Sequence, residues 1–214
     1  RRVLHWVEAF GHDQAKGRLA IVTGRLGGRL VLVAPFMVHR NLGLRQLVWA
    51  GEPVAQYGDI LLHPELDGEA AGRAAVSFAI DTVRPDLVRL RNVRCDAAIR
   101  PALENLGARV CDTQAAPFLD LASAADSEAF EERYSSKRRR NRRRLRRRLE
   151  SKSAVSFRTL PPGPEAARVA CAALSLKRAW LADRKEASLT LQNPGIDRWI
   201  SAMASDAQSG CRVS

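Results

Sequence analysis

The sequence predicts an α/β fold, and three observations carry that reading. β-rich runs cluster in the first third, around the glycine pair Gly27-Gly28. Helical spacing of apolar residues dominates the second half. Between the two, strand-like and helix-like segments follow one another, an order shared by α/β and α+β domains. The chain has 214 residues and is 46% apolar, enough for one substantial core or two small ones.

Residues 19–25 and 29–34 flank Gly27-Gly28 and read as a hairpin. The second run is apolar on both faces, so a central position is expected, with Pro35 at a bend or an edge. Residues 45–50 and 57–62 read as two further short strands. Glu69 to Ile80 is Ala-rich, with Ala71, Ala75, Phe78 and Ala79 at helical spacing. Residues 86–91 alternate as a strand does. Pro101 to Leu106 reads as a short helix closed by Gly107, and residues 108–112 as a weak strand.

A helix is expected over residues 127–149, capped by Asp126 or Ser127. Phe130, Tyr134, Asn141, Leu145 and Leu149 would form one narrow packed stripe along it, with a break possible at Ser135-Ser136. Residues 155–159 read as a strand. Pro164 opens a long helix to Leu181, with Val169, Ala173, Leu176 and Trp180 as its apolar face. Asn193-Pro194 caps a last helix carrying Ile196, Trp199 and Met203. Residues 204–214 read as a polar tail.

Charge is concentrated in one place. Ten of the twelve residues from Lys137 to Arg148 are basic, out of 35 in the chain, and setting them aside leaves 25 basic against 23 acidic. Three readings compete for this run. It could bind nucleic acid, although no zinc-finger or aromatic RNA-reading motif accompanies it. It could rest on an anionic membrane surface, although its apolar face is one residue wide. It could be a solvated face, although arginines three and four apart repel one another.

Other classes find little support. The longest apolar run, Leu30 to Val38, has nine residues and contains Pro35, whereas a helix crosses a bilayer with about 20 residues. No apolar run near the start resembles a signal peptide. Cys95, Cys111, Cys171 and Cys211 form no close pair and suggest neither zinc nor a disulfide framework, so a cytoplasmic setting and no metal are expected.

The run Phe130-x-x-x-Tyr-Ser-Ser-Lys-Arg-Arg-Arg-Asn141, its arginines as far as Leu149, the Val155-Ser-Phe segment and Leu176-Lys-Arg-Ala-Trp-Leu-Ala-Asp-Arg-Lys185 carry a resemblance. It is to the bacterial GNAT-superfamily acetyltransferases described as cellulose- or exopolysaccharide-biosynthesis proteins, the CelD-like group. Residues 27–35, 44–51 and 87–94 agree with it. The resemblance implies a GNAT-like mixed sheet with flanking helices in an incomplete tandem-GNAT protein. Residues 1–187 would be the N-terminal module and 188–214 the start of a second module or an atypical tail. It implies acyl transfer to an amine acceptor from acetyl-CoA or another acyl-CoA, with the coenzyme-binding half missing from this chain. Alternatively, the chain is a non-enzymatic basic module that binds nucleic acid or another anionic polymer through residues 137–148.

The cleft or anion-binding candidates are Tyr134, Lys137, Arg138, Asn141 and Asp59. The resemblance puts Asp59 in a turn that would line the cleft and the other four nearest it. Lys137 and Arg138 would bind an anionic acceptor or coenzyme phosphates. A coenzyme site needs backbone N–H groups at a helix start aimed at the pyrophosphate. The nearest partial match, Arg40-Asn-Leu-Gly43-Leu-Arg45, reads as a turn between strands. His5, His12, His39 and His63 show no metal-ligand spacing and none is assignable as a general base. Cys111 and Cys171 read as buried, inert thiols, and Trp49, Trp180 and Trp199 as core.

Overall fold

The computed structural model describes residues 2–10, 17–52, 54–118, 120, 122 and 124–214. They form two compact units: Arg1–Arg109 with Leu160–Val213, and Val110–Thr159 with Ser214.

The first unit begins with α1 (Arg2–Phe10), followed by strands β1 (Arg18–Leu26) and β2 (Arg29–Asn41). Gly27 and Gly28 both have positive φ, 55° and 81°, as a two-residue turn matching the strand twist requires. A second tight turn, with Leu42 at φ 51° and Gly43 at 80°, leads into β3 (Leu44–Trp49). Helix α2 (Gly68–Val83) then crosses over to β5 (Leu87–Val88), which lies parallel to β3. The sheet order is β1-β2-β3-β5, and β4 (Leu61–Leu62) pairs with β2.

β2 is central, as its two-sided apolar pattern predicts. It pairs with β4 at Leu32 and Val33, and with β3 from Phe36 to Asn41. Pro35 falls between these partners, and its carbonyl accepts from Ala50 at 2.7 Å. In an extended residue N and O point the same way, so the missing N–H faces the stretch where the named ladders of β3 and β4 both stop.

Leu32, Ala34 and Phe36 of β2, Leu47 and Trp49 of β3, and Ala75, Val76 and Ala79 of α2 build the main core with Ile60, Ala97 and Ile99. Phe36 stacks on Trp49 with centroids 5.2 Å apart. Each large side chain fully buried here contributes about 1.5–3 kcal/mol over its exposed state. α2 is stopped by local chemistry: Asp67 accepts from the Glu69 N–H at 3.0 Å, and left-handed Arg84 donates its N–H to Ile80.

A helical cluster completes this unit. Short α3 (Arg100–Asn105) is closed by Gly107 at φ 74°, as expected. Helices α6 (Pro164–Asp183), α7 (Leu189–Gln192) and α8 (Gly195–Ser205) follow later in the chain. Residues 187 and 188 both belong to this unit. Pro164 opens α6, and Asn193 caps α8 through the Gly195 N–H at 2.9 Å. α8 carries buried Ile196 and Met203. At Gly195 a Cβ would sit 2.7 Å from the Phe10 ring, so α1 and α8 approach closely because that residue is glycine.

Several expectations need correction. The strand expected over 57–62 is only Leu61–Leu62, and that over 86–91 only Leu87–Val88. Residues 108–112 and 155–159 form no ladder, and Phe157 is largely exposed. Alternation marks a residue run fit for a sheet but supplies no partner strand. α6 buries Ala166 and Ala167 beside α8, while Val169, Leu176 and Trp180 face out. Small residues admit the neighbouring helix, and bulkier ones would hold it away. The tail is ordered too: Leu160 pairs with Val213, and the buried Ser209 hydroxyl donates to the Met203 carbonyl at 2.6 Å.

In the second unit, the helix expected over 127–149 is two helices, α4 (Ser127–Glu132) and α5 (Ser136–Glu150), broken at residues 133–135. Ser135 leaves helical geometry to cap α5, accepting from the Arg138 N–H.

Candidate functional site

The arginine helix does not pack as its stripe suggests. α5 has no buried residue. Leu145 is 49% exposed and Leu149 55%, which corrects the expected packed face. Period-3.6 spacing of apolar residues marks a face, but ten basic neighbours on a 15-residue helix leave too little apolar area to fold over.

What holds α5 in place is polar and lies on one side. Asp126 caps α4 by accepting from the N–H groups of Glu128 and Ala129. Phe130 and Tyr134 meet edge to face at 5.7 Å. Arg142 reaches back across the break to Glu131 at 2.8 Å, with its guanidinium 4.8 Å from the Tyr134 ring centroid. Arg139 donates to the carbonyls of Glu132 and Tyr134, two acceptors left over where α4 ends. Arg146 pairs with Glu150 at 2.8 Å, and Arg144 donates to Asn141. Exposed pairs of this kind are individually worth under about 1 kcal/mol.

Lys137, Arg138, Arg140, Arg143, Arg147 and Arg148 have no acidic partner among the described residues. Side chains from Ser136 to Arg147, including Arg140 and Arg143, border a shallow open groove along the helix. On an α-helix these six cations span roughly 220° of the circumference, and the remaining sector holds Arg139, Arg142 and Arg146. The sector that braces α5 and the arc of free charge are therefore distinct.

Of the five candidate residues, Tyr134, Lys137, Arg138 and Asn141 all fall at this elbow or on α5. Tyr134 is half-buried under Arg142, and the other three are exposed. Asp59 belongs to the first unit. Its carboxylate accepts from the backbone N–H groups of Ile60, Ala98 and Ile99 at 2.8, 2.9 and 3.0 Å. It ties the segment before α3 to the sheet, a structural engagement that uses both oxygens.

The start of α2 is ill suited to an acyl-CoA pyrophosphate. α2 begins with Asp67 and Glu69, whose carboxylates occupy and repel at the end where an anion would be held. Glycines 27, 28 and 43 are hairpin tips. Arg40 to Arg45 is a turn between strands, as read from the sequence.

The other reactive side chains are dispersed. His5 Nε2 lies 2.7 Å from Asp206, linking α1 to the end of α8. Burial, aided by Arg89, lowers the His39 pKa, and His63 sits beside Glu65. His12 lies outside the described residues. Cys111 is exposed, contrary to expectation, and Cys171 half-buried; all four cysteines are free. Trp180 is not core either, since Lys177 and Arg184 cover its exposed ring at 3.7 and 4.7 Å from the centroid. No metal-holding group of His, Cys, Asp or Glu occurs among the described residues. Sequence reading missed Glu52, whose buried Oε1 has no partner among the described residues. Burial raises its pKa, opposed by Arg91 and then Arg89. A glutamate between Gly51 and Pro53 reads as an ordinary turn residue, so no local signal marked it.

These features define an α/β protein with a mixed sheet and an appended cationic helix. No protein-family model, curated protein or solved structure matches the chain. No helix among the described residues is long and apolar enough to cross a membrane.

Proposed function

We propose that this protein binds an anionic polymer, nucleic acid foremost, through α5. The observation that carries the reading is the set of six cations on α5 whose side chains have no partner of any kind among the described residues, on a helix that buries nothing. Like charges three and four residues apart work against the helix, so the sequence bears a local cost that an anionic partner offsets. Release of counterions from the polymer would supply the affinity. A cytoplasmic setting belongs to the same proposal.

The test is a fluorescence-anisotropy titration of labelled nucleic acid at graded salt. Binding that persists at about 150 mM salt, and is lost when the basic residues of 137–148 are replaced by Gln, is expected. Polycations bind DNA weakly at low salt without any evolved site, so binding confined to low salt would sink the proposal.

The acyltransferase reading stands second. A mixed sheet with a helical crossover between parallel strands is what a GNAT-like module, or an incomplete tandem of them, would contain, and that supports it. An acyl-CoA would then have to be held elsewhere than at the start of α2.

A further inference from the structure

The arrangement of charge around α5 bears on what kind of polyanion fits it. A flat anionic surface, such as a lipid headgroup layer, meets one side of a helix and favours cations flanking an apolar strip. Here Leu145 lies between Arg138 and Arg148 around the helix, so no apolar strip is set apart from charge. The unpaired cations instead reach round both flanks: Arg143 and Arg147 towards one end of the arc, Arg138 and Arg148 roughly 160° away towards the other, with Arg140 and Lys137 between them. Exposed charges on opposite flanks are both satisfied only by a ligand with two anionic walls. The major groove of B-form DNA is about 12 Å wide, admits one α-helix, and is walled by a phosphate strand on each side. The single strand has no such pair of walls, and the major groove of A-form RNA is too narrow for a helix to enter freely.

Scale and support agree with this. Fifteen residues make α5 about 22 Å long, which is about two thirds of a turn of B-DNA. The side turned away from the arc is braced by Arg142 on Glu131 and by Arg139 on the α4 carbonyls. The helix can thus be presented edge-on without surrendering the contacts that orient it. We infer that α5 seats in the major groove of duplex DNA, with Arg143 and Arg147 on one phosphate wall and Arg138 and Arg148 on the other. This rests on the polyanion reading above and narrows it to one ligand.

The test compares a duplex of about 20 base pairs, two turns, with the matching single strand, the same sequence as duplex RNA, inorganic polyphosphate, and phosphatidylcholine vesicles one-third phosphatidylserine. The full chain is used, at about 150 mM salt. Duplex DNA is expected to bind at least tenfold more tightly than every other probe. The double variants Arg143→Gln/Arg147→Gln and Arg138→Gln/Arg148→Gln should each lower the log–log salt slope by about 1.8, since each neutralises two phosphate contacts. The four side chains have no partner among the described residues, so far-ultraviolet circular dichroism should be unchanged. Response from only one pair, or equal or tighter binding of single strand, RNA duplex or vesicle, overturns groove docking. Polyphosphate binding with no duplex preference also overturns it, yet leaves the polyanion reading intact. Failure to bind any probe removes both.

Discussion

Helices α2 and α5 have nearly the same length, 16 and 15 residues, and opposite relations to the rest of the protein. α2 buries Gly72, Ala75, Val76 and Ala79 against the sheet, and α5 buries nothing. The first is held by packing, so its sequence answers to its neighbours in the fold. The second is held by a serine cap, a few ion pairs and two carbonyls at the α4 end. On the reading proposed here, its sequence answers to an anionic partner instead. Isolated helices of this length are marginal in water, and like-charge neighbours weaken this one further. A helix with so little internal support would gain most from the polyanion proposed for it.

The largest effects should come from the packed half. Phe36→Ala removes a fully buried ring stacked on Trp49 and should cost about 3–5 kcal/mol in chemical denaturation. Leu145→Ala, on the half-exposed face of α5, should cost under about 1 kcal/mol. Similar losses for the two would mean that α5 packs after all, and the comparison would fail.

Gly58→Ala comes next. Its Cβ would lie 2.0 Å from Trp49 Nε1, and such crowding typically costs about 1–3 kcal/mol. A lower urea midpoint with unchanged nucleic-acid binding would show that the sheet and α5 respond separately. Coupled loss of both would contradict that independence.

A pH series sharpens the comparison inside the first unit. Arg178 and Asp197 join α6 to α8 by two hydrogen bonds, 2.9 and 2.8 Å. The Arg178 hydrogen bond and then its charge hold the Asp197 pKa below the ordinary carboxylate value, although partial desolvation opposes them. A lowered acid pKa stabilises the fold above the unfolded-state value, and that contribution disappears as pH falls through the folded one. Asp197→Asn should therefore lower the urea midpoint at pH 7 and flatten its decline in acid. An equal decline in the variant and the parent would place the acid sensitivity elsewhere.

The smallest expected signal is the coenzyme's. With Asp67 and Glu69 at the start of α2, calorimetric titration with acetyl-CoA should give a dissociation constant weaker than about 10 µM, less than roughly 7 kcal/mol of binding. Tighter binding would restore the acyltransferase reading to first place.

Local chemistry was the legible part of this sequence. The Gly27-Gly28 turn, the Gly107 stop, the first-turn proline of α6 and the Asn193 cap each announce themselves through backbone preference, and each is found where expected. Facing was less legible. In α6 the bulky residues Val169, Leu176 and Trp180 marked the wrong side, because Ala166 and Ala167 are small enough to let α8 come close. In α5 the leucine period was real, but no neighbour fills it. Asp59 stood out in its turn, yet the three N–H groups it receives lie up to forty residues away, beyond any local pattern. The charge of the arginine run was plain, whereas the division of its arginines into braced and free needed coordinates.

Pro35 has a consequence for how the chain assembles. Strands of similar apolar composition can slide along each other and settle two residues out of place. Here a misaligned β3 or β4 would bring a carbonyl opposite a nitrogen that carries no hydrogen. The ring thus acts as a detent against alignments that carry either short neighbour's ladder across residue 35. A single missing proton can in this way discriminate among alignments that hydrophobicity alone would leave nearly equal.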